Sequence, residues 1–201
     1  ACSFGAHVSR PALARIRDAG ILQLCDPVDN YRWRSLRARA AFIDHFIASN
    51  HTHALELTRR FDVPATRVPH HHCNVDEVRI PAGREPATLG YVGGRVNWPP
   101  VKRLIRSLPF PTIAHTSGEK TLVDAYCSID VGVAWRMEEG KQSYNCAVKL
   151  VNFMSFGIPA VHSPETGYLE LSRDFEACAY AQTKAEFTHL VREFGGNPTL
   201  R

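Results

Sequence analysis

Between positions 144 and 164 the chain reads YNCAVKLVNFMSFGIPAVHSP, and three polar side chains stand out there among apolar neighbours. Asn145, Lys149 and Asn152 fall at i, i+4 and i+7, which places them in one stripe along a helix. Residues 147–156 contain no proline or glycine and are predicted as a short helix, closed by Gly157 at positive φ. A helix that is apolar all round is buried, so its polar residues carry the information. A lysine opening such a helix beside a strand end is a candidate anion ligand. The alternative is a lysine whose stem lies along apolar surface while its charge reaches water.

Strand ends supply the second group, because ligands of open parallel sheets bind beyond the carboxyl ends of the strands. Gly93, Gly94 and Arg95 follow a predicted strand over 88–92, and His115, Thr116 and Ser117 end one over 112–115. Arg136 follows a strand over 131–135, and Thr166, Gly167 and Tyr168 lie in the stretch after one over 158–161. Glycines for close backbone approach, hydroxyls and positive charge together suit a phosphate. GYVGGR itself matches neither G-x-G-x-x-G nor a P-loop, so the weight rests on four strand ends agreeing. In the first half, Asp26 ends the run ILQLC and Asp29 follows in the turn PVDN. Either carboxylate could serve as general base toward a hydroxyl; equally, the pair could open the turn and cap the next helix. Imidazole and thiolate make HHHC at 70–73 a conceivable zinc site with His51 and His53. Neighbours on extended chain point opposite ways, so only His70 and His72 share a side; they are read as hinge residues facing a cleft or as part of an exposed polar turn, and no metal is expected.

Positioning these groups takes alternating strands and helices, and that alternation is readable. Helices are predicted over 10–19, 32–44 and 50–61, with strands over 21–25, 45–49 and 66–70. The stretch 76–86, with two prolines and a glycine, reads as a linker. After it come helices over 99–108, 122–127 and 184–194, the last two strands being 158–161 and 177–181. Five-residue strands alternating with helices imply parallel sheets covered on both faces. The organisation expected is therefore a first half over 1–80 and a second over 81–201.

Net charge is +4 on 201 residues, too mild to suggest a nucleic-acid partner. Positive charge is concentrated at Arg32, Arg34, Arg37 and Arg39. That helix is read either as a solvated face or as a weak contact with an anionic membrane surface or acidic acceptor. No run approaches 18 apolar residues, and no signal peptide opens the sequence. Six scattered cysteines without a C-x-x-C pair suit reduced thiols, hence a cytoplasmic setting. The opening ACSFGAHVSRP lacks Met, and tethering to further domains is expected.

YVGGR, the strand DVGVAW and KLVNFMSFGIPAV together resemble the carboxy-terminal, donor-binding half of GT-B glycosyltransferases. IDHFIASNHTHALELTRRFDVPATRVPHH is similar to the end of their amino-terminal half. The fold class implied is α/β, two Rossmann-like parallel-sheet halves with the first one shortened. The function implied is transfer of a hexosyl or deoxyhexosyl group from a nucleotide-diphosphate donor, UDP- or GDP-linked, to a glycan or other hydroxyl acceptor. No cofactor and no obligatory metal are implied. By resemblance, Gly93, Gly94, Arg95 and Lys149 would hold the diphosphate, and Asn152 stands where many relatives carry a ribose-binding Glu. A non-catalytic nucleotide-sugar-binding module is the alternative.

Overall fold

The structure is a computed structural model, and it describes residues 9–27, 33–69, 73–116, 121–136, 144, 146–173 and 178–201. Contacts divide these into two compact units: residues up to 69 with 144 and 146, and residues 73–136 with 147–201.

In the first unit, helix α1 (Arg10–Asp18) precedes strand β1 (Leu24–Cys25), helix α2 (Trp33–Arg37) and a 3-10 turn (Ala40–Phe42). Strand β2 (His45–Ala48), helix α3 (His51–Phe61) and strand β3 (Ala65–Arg67) complete it. The three strands are parallel in the order β1-β2-β3, with Leu24 opposite His45 and Phe46 opposite Ala65. β1 is shorter than its apolar run suggests, because Ile21 and Leu22 lie exposed and pairing begins only at Leu24. Gln23 makes the transition: its N–H donates to the Asp44 carboxylate at 2.7 Å and its Nε2 to the Leu13 carbonyl at 3.1 Å. The Asp44 N–H in turn donates to the Gln23 carbonyl at 3.0 Å. Those bonds pull residue 44 onto the strand, which is why the predicted helix over 32–44 appears as two short pieces. Cys25, Leu36, Ile43, Phe46, Ala48, Ala54 and Leu57 form the core, with Trp33 and Phe61 packed against it.

The second unit alternates strictly. Its strands are β4 (Leu89–Val92), β5 (Thr112–His115), β6 (Val131–Ala134), β7 (Ala160–His162) and β8 (Cys178–Tyr180). Its helices are α4 (Trp98–Ile105), α5 (Leu122–Cys127), α6 (Val148–Ser155), α7 (Thr166–Ser172) and α8 (Lys184–Gly196). All five strands are parallel, in the order β5-β4-β6-β7-β8. Side-chain alternation sorts the apolar residues into two cores on opposite faces. Leu89, Tyr91, Val131, Val133 and Val161 pack with Val101 and Ile105 of α4 and Phe187 and Val191 of α8. Val92, Ala134 and Ala160 pack with Tyr126 of α5, Leu150 and Phe153 of α6 and Tyr168 of α7. The result is three layers, helix–sheet–helix. On the α6 face the sheet is notched: Gly90 and Gly132 are paired, and a Cβ on Gly132 would lie 2.8 Å from the Phe153 ring.

The stretch read as a linker is bound into this unit. Arg84 reaches the buried Asp130 carboxylate with its backbone N–H at 3.2 Å and its guanidinium at 3.3 Å. The other carboxylate oxygen accepts from the Thr88 N–H at 2.8 Å. Helix α7 has no counterpart among the predicted elements. Among the described residues no helix is long and apolar enough to cross a membrane. Cys25, Cys73, Cys127, Cys146 and Cys178 are free thiols.

Candidate functional site

The order β5-β4-β6 means that the chain leaves β4 toward one side for β5 and later returns to its other side for β6. At such a switch point the loops beyond the two carboxyl ends diverge and leave a crevice, the usual ligand position in open parallel sheets. The residues that meet there are Gly93 after β4, Arg136 after β6, Lys149 in the first turn of α6 and Glu165 ahead of α7.

Lys149 is buried, and its Nζ donates to the Tyr91 hydroxyl at 3.2 Å while lying 4.3 Å from the centre of the Tyr91 ring. The Tyr91 hydroxyl donates onward to the Gly94 carbonyl at 3.0 Å. Gly93 adopts φ +152, and a Cβ there would sit 2.6 Å from both Cε and Nζ of Lys149. So the first glycine of the pair is required by conformation, and a methyl there would push the tip of the Lys149 side chain aside. Gly94 is not, because a Cβ on it would meet nothing within 4 Å.

Burial pushes the Lys149 ammonium down to about 7, with the Arg136 charge acting in the same direction and Glu165 opposing it. The position of Lys149 near the amino end of α6 adds the unfavourable end of the helix dipole. Arg136 is braced twice: its backbone N–H donates to the Ser163 hydroxyl at 3.0 Å, and its guanidinium lies 3.8 Å from the buried Glu165 carboxylate. Beside it, His162 donates from Nδ1 to the Ser163 carbonyl at 2.8 Å, and burial lowers its pKa to about 4. It is therefore neutral at pH 7. Two cationic side chains with one carboxylate, in a low-dielectric edge, form a setting that favours an entering polyanion.

Of the residues singled out from sequence, Gly93, Arg136 and Lys149 come together here. Arg95 is exposed on the 3-10 turn Arg95–Asn97. His115 is half-buried, with Nε2 2.9 Å from the Ser128 hydroxyl, and Thr116 is half-buried beyond it. Asn152, read as part of a ligand-facing stripe, is committed internally. Its Nδ2 donates to the Tyr126 hydroxyl at 2.9 Å and to the Asn74 side chain, and its Oδ1 accepts from the Asn74 N–H at 3.2 Å. Gly167 and Tyr168 are buried in α7, the Tyr168 ring lying edge-on to His162 at 5.3 Å, and Thr166 is half-buried. Asp26 is half-buried just beyond β1. Asp29, Ser117, Asn145, His70 and His72 lie outside the described residues, and so does Arg32. Arg34 and Arg37 are exposed on α2 and Arg39 is half-buried. No group of three or more potential metal ligands occurs among the described residues.

Tyr91 was not singled out from the sequence, and Glu165 only as part of the stretch that follows the strand over 158–161. Tyr91 reads as one more apolar position of a buried strand, with nothing in its neighbours to mark it.

No protein-family model and no curated protein matches the sequence. Solved structures do match. The chain is similar to the pneumococcal O-GlcNAc transferase GtfA, solved in complex with UDP and GlcNAc, at TM-score 0.62 and 11% identity. That match covers 94% of this chain and 47% of the other. It is also similar to TarM, at TM-score 0.56 and 11% identity, covering 87% of this chain and 47% of that one. The fold is GT-B-like. Its two parallel sheets, of three and five strands, make it a shortened Rossmann-like version of that class. The chain spans about half the length of either matched structure, and at this identity the likeness concerns the fold alone.

Proposed function

We propose that this chain is a glycosyltransferase domain that binds a nucleotide-diphosphate sugar at the carboxyl edge of its five-stranded sheet and passes the sugar to a hydroxyl acceptor. The observation that carries the reading is the Lys149–Gly93–Arg136 cluster at the β4/β6 switch point. Breaking the bond between sugar and diphosphate leaves negative charge on the departing phosphate. Fixed cations aimed at that charge in a dry site stabilise the transition state more than the ground state. Lys149 and Arg136 are suited to that task, and Gly93 lets the phosphate oxygens approach backbone and ammonium together. Neutralisation by side chains gives the chemistry no need of a divalent ion, so turnover should survive a chelator; loss restored by magnesium or manganese contradicts this. The UDP bound by GtfA supports a UDP-linked donor, and its GlcNAc supports a sugar as acceptor or transferred group.

If the reaction inverts, the attacking hydroxyl must lose its proton to a base, and Asp26 before Asp29 is proposed for that role. Asp26→Asn should then lower turnover ~10²–10⁴-fold with donor binding retained. Near-normal turnover in both Asp26→Asn and Asp29→Asn removes the assignment. The deciding experiment for the function as a whole is calorimetric titration with UDP and GDP, followed by assay of free nucleotide released from the UDP- or GDP-sugar. Binding with release supports the transferase. Binding without release, even with sugar acceptors present, favours the second reading, a nucleotide-sugar-binding module, which the three-stranded first unit makes worth testing.

A further inference from the structure

Tyr91 and Lys149 start on opposite faces of the five-stranded sheet. Tyr91 belongs to the core shared with α4 and α8, whereas Lys149 rises from α6, whose apolar residues fill the other core. The two meet only over the end of β4, where Gly93 has no side chain to block the lysine stem. The phenol oxygen there does two jobs at once: it accepts from Lys149 Nζ at 3.2 Å and donates to the Gly94 carbonyl at 3.0 Å. The Asn97 side chain bonds to the same phenol, and the ring is stacked on Trp98 at 5.6 Å with 29° between planes. A residue held so firmly is a fixed post, not a mobile ligand.

We propose that Tyr91 is the positioning residue of the donor site, its phenol oxygen holding the Lys149 ammonium beside the glycine turn so that the two act on a diphosphate as one unit. This rests on the reading of that edge as the diphosphate site. The charged and titratable groups that bear on Lys149 among the described residues are Tyr91 from β4, Arg136 beyond β6 and Glu165 ahead of α7. The phenol supplies an acceptor that favours the charged amine, against burial and Arg136. Removing it should therefore both loosen the turn and make the lysine harder to protonate. An entering diphosphate then has to recruit a proton to Lys149 more often.

The test is Tyr91→Phe, which keeps the ring and deletes only the hydroxyl, titrated with UDP by calorimetry at pH 7 in two buffers of different ionisation heat. Lys149 lowered toward 7 in the free protein predicts fractional proton uptake by the lysine on binding to wild type. In Tyr91→Phe the uptake should move toward one proton, with affinity down roughly tenfold, the scale of one charge-assisted hydrogen bond. Proton release by UDP itself is common to both proteins and cancels in the difference. Lys149→Arg, always charged, should take up none, and adding Tyr91→Phe to Lys149→Arg should leave proton uptake unchanged. Thermal unfolding checks that each variant is folded; should Tyr91→Phe not fold, a nitrogen-15 signal of wild-type Lys149 that ignores UDP overturns the proposal. An affinity loss with unchanged proton uptake assigns Tyr91 a structural role and also overturns it. Failure of wild type to bind UDP or GDP defeats the donor-site reading itself, and the inference with it.

Discussion

At the carboxyl edge of the three-stranded sheet, Ser49 and Asn50 both donate to the Tyr144 carbonyl, at 3.5 and 3.2 Å, and the His53 ring stacks on the Tyr144 ring at 4.9 Å. The corresponding edge of the five-stranded sheet gathers Lys149 and Arg136 around one carboxylate, Glu165. In the first case the chain uses the Ser49 and Asn50 side chains on itself, and those bonds add to the stability of the neighbourhood. In the second the cations repel one another and one is partly discharged by burial, a cost that folding alone does not recover. Such expense is usual where a ligand completes the structure. The difference teaches where each edge will show damage: stability at the first, ligand affinity at the second.

Gly93→Ala should give the largest effect. The added Cβ would lie 2.6 Å from the Lys149 ammonium on backbone already at φ +152. UDP binding should fall beyond calorimetric detection, with a stability loss of about 1–3 kcal/mol from backbone strain. Retained affinity would falsify the placement of the diphosphate. Lys149→Met comes next, with binding weakened by ~1.5–3 kcal/mol, the scale of a hydrogen bond between charged groups. Its effect on stability has a definite sign. The folded lysine titrates near 7, below its ordinary 10.5, so between those values the unfolded chain holds more protons and stability rises with pH. From pH 7 to 9 wild type should gain about 1 kcal/mol per unit relative to Lys149→Met. Parallel melting curves for the two proteins across that range contradict the buried, discharged lysine.

How much of this was legible beforehand follows from what each interaction depends on. The βα rhythm of the second unit depends on local periodicity and could be read: residues 131–134 and 184–194 show it directly. The α6 helix and its stop at Gly157, φ +67, were readable for the same reason. Lys149 was legible because a cation inside an apolar helix is anomalous by itself. Its partner was not, since Tyr91 stands 58 residues away and looks like ordinary strand core. Asn152 is the opposite case: an amide in a polar stripe invites a ligand, and its bonds to Asn74 and Tyr126 depend on the fold and leave no mark in the sequence. Helix α7 was hidden by its length and by a glycine at its second position. The run at 21–25 promised five strand residues, but an apolar run says nothing about whether a neighbour exists to pair with it.

Acid should affect both edges by the same route. His53 and His162 are each buried and lowered to about 4 from the ordinary 6.5. Between those values the unfolded chain binds protons that the folded chain refuses, so stability falls as pH drops from 6.5 to 4. His53→Phe should relieve that slope by up to about 1 kcal/mol per unit, and His162→Phe likewise. An unchanged acid slope in both variants means the rings are hydrated. Asn50→Ala should cost about 0.5–2 kcal/mol by removing the α3 cap, the 2.8 Å bond from the His53 N–H, while leaving UDP affinity untouched. A change in affinity there would undo the separation between the two edges. The smallest effect is expected for Gly94→Ala, within ~0.5 kcal/mol, since a methyl at that site meets open space and the backbone is at φ −59.

The notch in the five-stranded sheet bears on how helix α6 breathes. Phe153 seats against Gly132, and the ring leaves no room for even a methyl there, so the middle of the helix is keyed to one height above the strands. Sliding α6 lengthwise would drive that ring against the neighbouring strand residues, whose side chains fill the same face. The turn carrying Lys149 lies upstream of the key, and as the first turn of the helix its backbone N–H groups have no partner within it. Amide hydrogen exchange along α6 should therefore be stepped: fast at Lys149 and Leu150, and slow from Phe153 onward, approaching the rate of global unfolding.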